Sequence, residues 1–353
     1  MPGVSDSFCI PATYRSSTMT VKLTRRQALA ASLSALVPAL LPRVVLAQPN
    51  NWPNRPVRIV VAFAPGGPVD ILARRVAADL EAQFKMQFVV ENVAGGGGRI
   101  GTRQVSQATG DGYTLLATSS AASASAPALF PEKELGYDAV KSFSQIALIG
   151  QGVVGFIVKS DSPWQSAADL AKAVKASSKP LFYATGGVGS LGHLAAAMAE
   201  QTLGLDMDHV AYRGSAPAQV DLLAGNIPLI CDTLLPHMAQ IRSGALRVIS
   251  VFSPERLAIL PNTPTFVEQG WPNLVASSWF GFCGSPGIPT DIVDRLNAAI
   301  GKYVAKQETK TWMLDQGITP DGTLSPGQYR DFVASEVERW TKVVKAGNIQ
   351  VSA

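Results

Sequence analysis

Two stretches of this chain bring together residues whose types and spacing suit chemistry. They are Phe63-Ala64-Pro65-Gly66-Gly67-Pro68-Val69-Asp70 and Thr185-Gly186-Gly187-Val188-Gly189-Ser190. Each follows an apolar, strand-like run and precedes a segment with helical spacing; after the first, Leu72, Val76, Leu80 and Phe84 recur every four residues. A helix N-terminus leaves backbone N–H groups unpaired and carries partial positive charge, so the chemistry on offer is anion binding. Glycine lets the main chain approach such an anion with no Cβ in the way. No Lys or Arg stands between Phe63 and Asp70, so an anion held there is held by backbone. The same pattern also describes an ordinary strand-to-helix turn that binds nothing.

Other chemistries fit less well. Gly187-Val188-Gly189-Ser190-Leu191-Gly192 matches the dinucleotide pattern G-x-G-x-x-G, which keeps a nucleotide-dependent enzyme open as an alternative. The ribose-binding acid of that pattern ends the following strand, whereas Asp206 and Asp208 precede the apolar run 210–212. Ser190 lacks a nucleophile-elbow frame because Val188 occupies the first glycine position. His193, His209 and His237 are far apart in sequence, and no H-E-x-x-H or C-x-x-C is present. The expectation is a protein with no catalytic residue, no metal site and no cofactor, in which His193 is structural. Asp70 either caps its own turn or meets a ligand's amine or hydroxyl; Asp232, at a strand's carboxyl end, has the same two readings. Trp279 and Phe280 read as core rather than ligand-stacking residues.

The elements that position these residues alternate strand and helix. Strands are expected at 57–63, 87–91, 113–118, 181–185, 210–212, 228–232 and 246–252, with helices between them, which predicts parallel βαβ units. In such sheets ligands sit beyond the carboxyl ends of strands, where Gly66-Gly67 and Ser119-Ser120 both fall. The runs 143–150 and 155–158 read as two strands, or as one broken near Gly150–Gly152. A Pro-rich connection, 254–272, leads to a second apolar crossing at 275–283 and then to two or three helices. Ser325-Pro326 is an N-cap and N1 pair for the last of them.

The chain has 353 residues, and its first 47 read as an export signal. Arg25-Arg26, the apolar stretch 28–41 and Val45-Leu46-Ala47 supply basic, hydrophobic and cleavage regions, with translation starting at Met19 and cleavage after Ala47. Thr24-Arg25-Arg26 also resembles a twin-arginine signal, so the export route is Sec or twin-arginine. That segment carries five basic residues and one acid, which leaves 25 of each in the remainder. The basic balance of the whole chain therefore belongs to the leader, and no nucleic-acid surface is expected. Cys231 and Cys283 sit in apolar runs and read as buried free thiols, though an exported protein permits a disulfide. The 306 residues from 48 onward suggest two domains: a discontinuous first, 48–151 plus 275–353, and an inserted second, 152–274. Two glycine turns would then face each other across a cleft that closes by hinge motion.

The residues Arg58-Ile59-Val60-Val61-Ala62-Phe63-Ala64-Pro65-Gly66-Gly67 with Asp70, Val90-Glu91-Asn92 before a glycine run, and Asp111-Gly112-Tyr113-Thr114-Leu115-Leu116 resemble the Bug receptors. These are the periplasmic solute-binding proteins of tripartite tricarboxylate transporters. Tyr183-Ala184, the run from His209 to Ala218, Pro261 to Pro264 and Ser277 to Gly281 extend the resemblance in order along the chain. It implies an α/β periplasmic-binding-protein fold, type II-like, that shuts on its ligand as a Venus flytrap. It further implies a monomeric receptor that captures a small organic acid and presents it to membrane permease subunits, or alternatively to a membrane signalling protein. The carboxylate would lie between the turns, at Gly66, Gly67, Val69 and Asp70 on one side and Thr185, Gly186, Gly189 and Ser190 on the other. Phe63 would act as a lid, with Ser119, Ser120, Tyr212 and Asp232 lining the cleft. Pro68 and Val69 replace small and hydroxylated residues of the family, and Arg99 stands where asparagine is frequent; Pro68 also removes one N–H.

Overall fold

The computed structural model describes residues 51–346. The export signal expected at 1–47 lies outside the described residues. In chain order the first elements are β1 (Val57–Val61), α1 (Pro68–Phe84), β2 (Phe88–Asn92), α2 (Arg99–Ser106) and β3 (Thr114–Ser119). A π-helical turn, Ala121–Ser125, runs into the short helices α3 (Ala126–Leu129) and α4 (Glu132–Leu135). Then follow β4 (Ser144–Lys159), α5 (Ala167–Ala176), β5 (Leu181–Thr185), α6 (Leu191–Leu203), β6 (Met207–Ala211), α7 (Ser215–Ala224) and β7 (Leu229–Thr233). The chain ends with α8 (Met238–Arg242), β8 (Leu246–Val251), β9 (Ser277–Gly284), α9 (Thr290–Ala305), α10 (Gln307–Asp315), β10 (Ile318–Pro320) and α11 (Pro326–Ala346).

The sheet order is β2-β1-β3-β9-β4-β7-β5-β6, with β8 and β10 also paired to β4. β1 is parallel to β2 and β3, and β5 is parallel to β6 and β7. Each parallel set forms because its strands are joined through helices, as a parallel pair requires. The crossing strands β4 and β9 are antiparallel to each other and to their other partners. β4 is unbroken. Its first part, to Val153, pairs with β9, and from Val154 it pairs with β7, so one long strand carries the chain from one parallel set to the other. The domain boundary expected after 151 falls inside this strand.

The core follows from these strands. Ile59 and Val61 of β1 face Leu72, Val76 and Leu80 of α1 and Leu296 and Ile300 of α9 in one cluster. A second cluster joins Phe156 of β4, Tyr183, Leu194, Cys231 and Trp279 to Tyr329 and Trp340 of α11. Trp279 is 1% exposed and meets Tyr329 and Phe332 edge-on, as expected for a core residue. The Ser325 hydroxyl accepts from Gln328 N–H at 3.3 Å, capping α11 ahead of Pro326.

Cys231 and Cys283 are free and buried, and burial raises both thiols above their usual range. A thiol reagent added to protein lacking residues 1–47 should find no fast-reacting group in the native state and two after denaturation. Rapid native labelling would contradict this packing.

Candidate functional site

The carboxyl ends of both parallel sets point into one cavity. It is lined by Phe63 beyond β1, Ser119 at the end of β3, Gly186 beyond β5, Gly214 beyond β6, and Asp232 and Thr233 at the end of β7. Ser278 and Phe280 of the crossing strand β9 form part of its wall. Its volume is about 50 Å³, room for a few waters or a carboxylate head.

Three helices begin at this cavity. Gly67, Pro68 and Val69 open α1; Ser190, Leu191 and Gly192 open α6; Gly214 and Ser215 open α7. First-turn N–H groups have no intrahelical acceptor. Gly67, Val69, Leu191, Gly192 and Ser215 have no acceptor for their N–H among the described residues. The lining contains no Lys, Arg or His and one acid, Asp232, so whatever positive potential it has comes from the helix termini. Each terminus contributes up to ~2 kcal/mol toward an anion in a partly buried setting. Three together exceed what one exposed side-chain cation supplies, about 1 kcal/mol or less.

The sequence-expected residues divide into two groups. Phe63, Gly67, Val69, Ser119, Gly186, Ser190 and Asp232 are brought together around the cavity. Gly66, Asp70, Ser120, Thr185, Gly189 and Tyr212 are not in its lining. Asp70 instead fixes the shape of the first turn. Its carboxylate accepts from Gly66 N–H at 3.0 Å, Arg74 Nε at 3.1 Å and Asn92 Nδ2 at 2.9 Å, while Asn92 Nδ2 also donates to the Phe63 carbonyl. Burial pushes its pKa up, but the hydrogen bonds from Arg74, Gly66 and Asn92 outweigh that and hold it below the usual range. The Ser120 hydroxyl pairs with that of Ser278 at 3.0 Å. Tyr212 donates its hydroxyl to Asp221 at 2.6 Å and lines a separate, outer cavity.

The second turn is braced from behind by histidines. Gly187 N–H donates to Thr185 Oγ1 at 3.1 Å, and that oxygen lies 2.7 Å from His209 Nε2. Gly189 N–H donates to His193 Nδ1 at 3.3 Å, and the two imidazoles stack with centroids 4.0 Å apart. The amides of Gly187, Gly189 and Ser190 are therefore engaged within the turn. The free donors lie one step on, at Leu191 and Gly192. Gly192 is there for another reason as well: a Cβ on it would stand 2.0 Å from the Cys231 carbonyl oxygen, so only glycine lets α6 seat against β7. This is close helix packing, and the strand after it ends in Ala211 rather than an acid.

Sequence reasoning missed Gly214-Ser215, Thr233, Ser278 and the π-helical turn at Ala121. The first had a signal: strand, glycine and helix start occur there for a third time. The alanine- and serine-rich run after Ser120 has no apolar periodicity to betray a helix.

A sheet crossed by β4 and β9, with helix starts on both sides of one cavity, is the architecture of the periplasmic-binding-protein fold, the class of periplasmic solute-binding proteins. The family profile described as Tripartite tricarboxylate transporter family receptor (TctC) matches residues 72–349, and the chain belongs to that family. Protein BugT of Bordetella pertussis is 32% identical over 297 residues, 84% of this chain and 90% of that one. Among solved structures, MatC of Rhodopseudomonas palustris with bound malate is 29% identical with a TM-score of 0.78, covering 83% of this chain and 100% of that one. A second R. palustris protein, solved with adipate, is 31% identical with a TM-score of 0.81, covering 85% and 99%.

Burial holds both stacked histidines neutral, His193 lowered to about 4 and His209 to about 3, the latter further by its neighbour. The unfolded chain takes up protons on both near pH 6.5 and the folded one does not, so stability is complete above that pH and falls as pH drops toward 4. Melting temperature measured from pH 7 to 4.5 should fall, and His209→Gln should flatten that slope. An unchanged slope in the variant would contradict neutral, buried imidazoles.

Proposed function

We propose that this chain is a periplasmic receptor, with no catalytic role, that holds the carboxylate of a small organic acid on backbone amides and delivers it to the membrane subunits of a tripartite tricarboxylate-type transporter. One observation carries the reading: three helix N-termini with free first-turn amides face one cavity whose lining holds no side-chain cation. A carboxylate suits that arrangement because its two oxygens accept several N–H donors at once. The donors are those of Gly67 and Val69 on one side, and of Leu191, Gly192 and Ser215 on the other. Phe63 closes the cavity toward the outside. The malate- and adipate-bound relatives support an organic acid as ligand. The leader read at 1–47 supports the periplasm.

Closure is written into the contacts between the two sides. A Cβ on Gly97, beyond β2, would lie 2.3 Å from the Val188 carbonyl oxygen, so backbone meets backbone where the two sides touch. Opening separates these loops, and a bound anion holds them together through donors from both.

A thermal-shift screen tests the proposal. Mono- and dicarboxylic acids should raise the melting temperature, while neutral sugars, inorganic cations and nucleotides should not. A protein that ignores every carboxylate and responds to sugars, or one that is stabilised by NAD or ATP, would refute it.

A further inference from the structure

One acid, Asp232, stands in the wall of the inner cavity. It lies at the end of β7 and is 6% exposed, beside the space assigned above to a carboxylate. An ionised side chain at that position repels an anionic ligand through surroundings that screen charge poorly. Its immediate neighbours decide whether it does so. Asp232 Oδ1 accepts from Thr233 N–H at 2.7 Å, whereas Oδ2 is buried and has no hydrogen-bond partner among the described residues.

Facing Oδ2 is His237, in the turn Leu235–His237 that follows β7. The ring is fully buried, and its Nε2 stands 3.5 Å from Oδ2, also without a hydrogen-bond partner among the described residues. The two atoms are too close for a water to stand between them. The other ring nitrogen, Nδ1, lies 2.8 Å from Gln219 Oε1 on α7. A carbonyl oxygen only accepts, so Nδ1 is the donor and carries a proton. Charged side chains of the helices packed on this turn are engaged elsewhere: Asp70 of α1 with Arg74, Asp221 of α7 with Tyr212, and Arg242 of α8 with the Asp315 carbonyl. Asp232 is thus the one ion-pair partner of His237 among the described residues.

A carboxylate oxygen and an unprotonated ring nitrogen both present lone pairs, and two buried acceptors facing each other are costly. A proton between Oδ2 and Nε2 removes the conflict. Whether it rides on the ring or on the carboxyl group, the pair as a unit is then neutral. We propose that His237, oriented by Gln219, is a positioning residue for ligand capture: it holds the proton that cancels the charge of Asp232, so that a cavity with an acid in its wall accepts an anion. This rests on the carboxylate reading of the cavity. The helix termini then attract the ligand unopposed.

Calorimetric titration of acetate, butyrate, succinate and adipate tests it. His237→Gln leaves Asp232 unbalanced and should weaken every acid that binds the wild-type protein by roughly tenfold or more. Adding Asp232→Asn to His237→Gln removes the charge as well and should regain most of that loss. A histidine that merely props the turn predicts a double variant no better than the single one. Unchanged affinity in His237→Gln, or a double variant as weak as the single, would overturn the charge balance while sparing the carboxylate reading. Wild-type protein that binds none of the acids would overturn that reading and this inference with it. Nitrogen NMR of isotope-labelled wild-type protein needs no variant to fold: the His237 Nδ1 signal should be that of a protonated nitrogen. A bare Nδ1 with the proton on Nε2 alone leaves the pair negative and would also overturn the proposal.

Discussion

An α-helix cannot satisfy the N–H groups of its own first turn, and this fold places three such first turns at one small cavity. The rest of the architecture serves that placement. Within each parallel set the carboxyl ends share one edge, and the two sets run in opposite senses, so the turns after β1, β5 and β6 meet at one cavity. β9 pairs with β3 of the first parallel set and β4 with β7 of the second, and because β4 and β9 pair with each other the two sides of the cavity share one framework. Glycine before α1 and α7 gives the backbone room, and Pro68 and Pro217 preset the helical turn there at the expense of one donor each.

Amides bind an anion well only when they do not have to reorganise to meet it. Two buried networks supply that rigidity here. On one side the Asp70 carboxylate ties Gly66, Arg74 and Asn92 into a fixed turn. On the other, Thr185 and the stacked His193 and His209 bond the turn from behind. The imidazoles must be neutral to do this, since two imidazolium rings with centroids 4.0 Å apart would repel strongly in a buried setting. Chemistry-bearing side chains thus act as scaffolding. Asp232, 6% exposed, accepts from Thr233 N–H at 2.7 Å and faces His237 rather than a cation of the cavity.

Much of the fold was legible in the sequence because local signals and tertiary structure agree. The strand at Leu181–Thr185 falls where its apolar run placed it, and the helix before it, Ala167–Ala176, follows the expected alternation. β6 begins three residues before the apolar run because Asp208 and His209 pair with Phe182 and Tyr183 in the ladder, and polar residues hide an edge strand from any hydrophobic count. The site was less legible. Glycine turns mark where a backbone comes close, but they do not say which amides are already engaged. So Gly189 and Thr185 looked like ligand contacts, while Leu191, Gly192 and Ser215 carry the free donors. Nor does spacing reveal that Tyr212 faces a different cavity from Ser119.

Amide chemical shifts report the central claim residue by residue. Titrating isotope-labelled protein with an acid that raises its melting temperature should move the N–H signals of Val69, Gly192 and Ser215 together, with one shared saturation point, as hydrogen bonds to carboxylate form at all three helix starts. Signals that move on one side only, or stay unmoved while the acid binds, would contradict capture by converging helix termini.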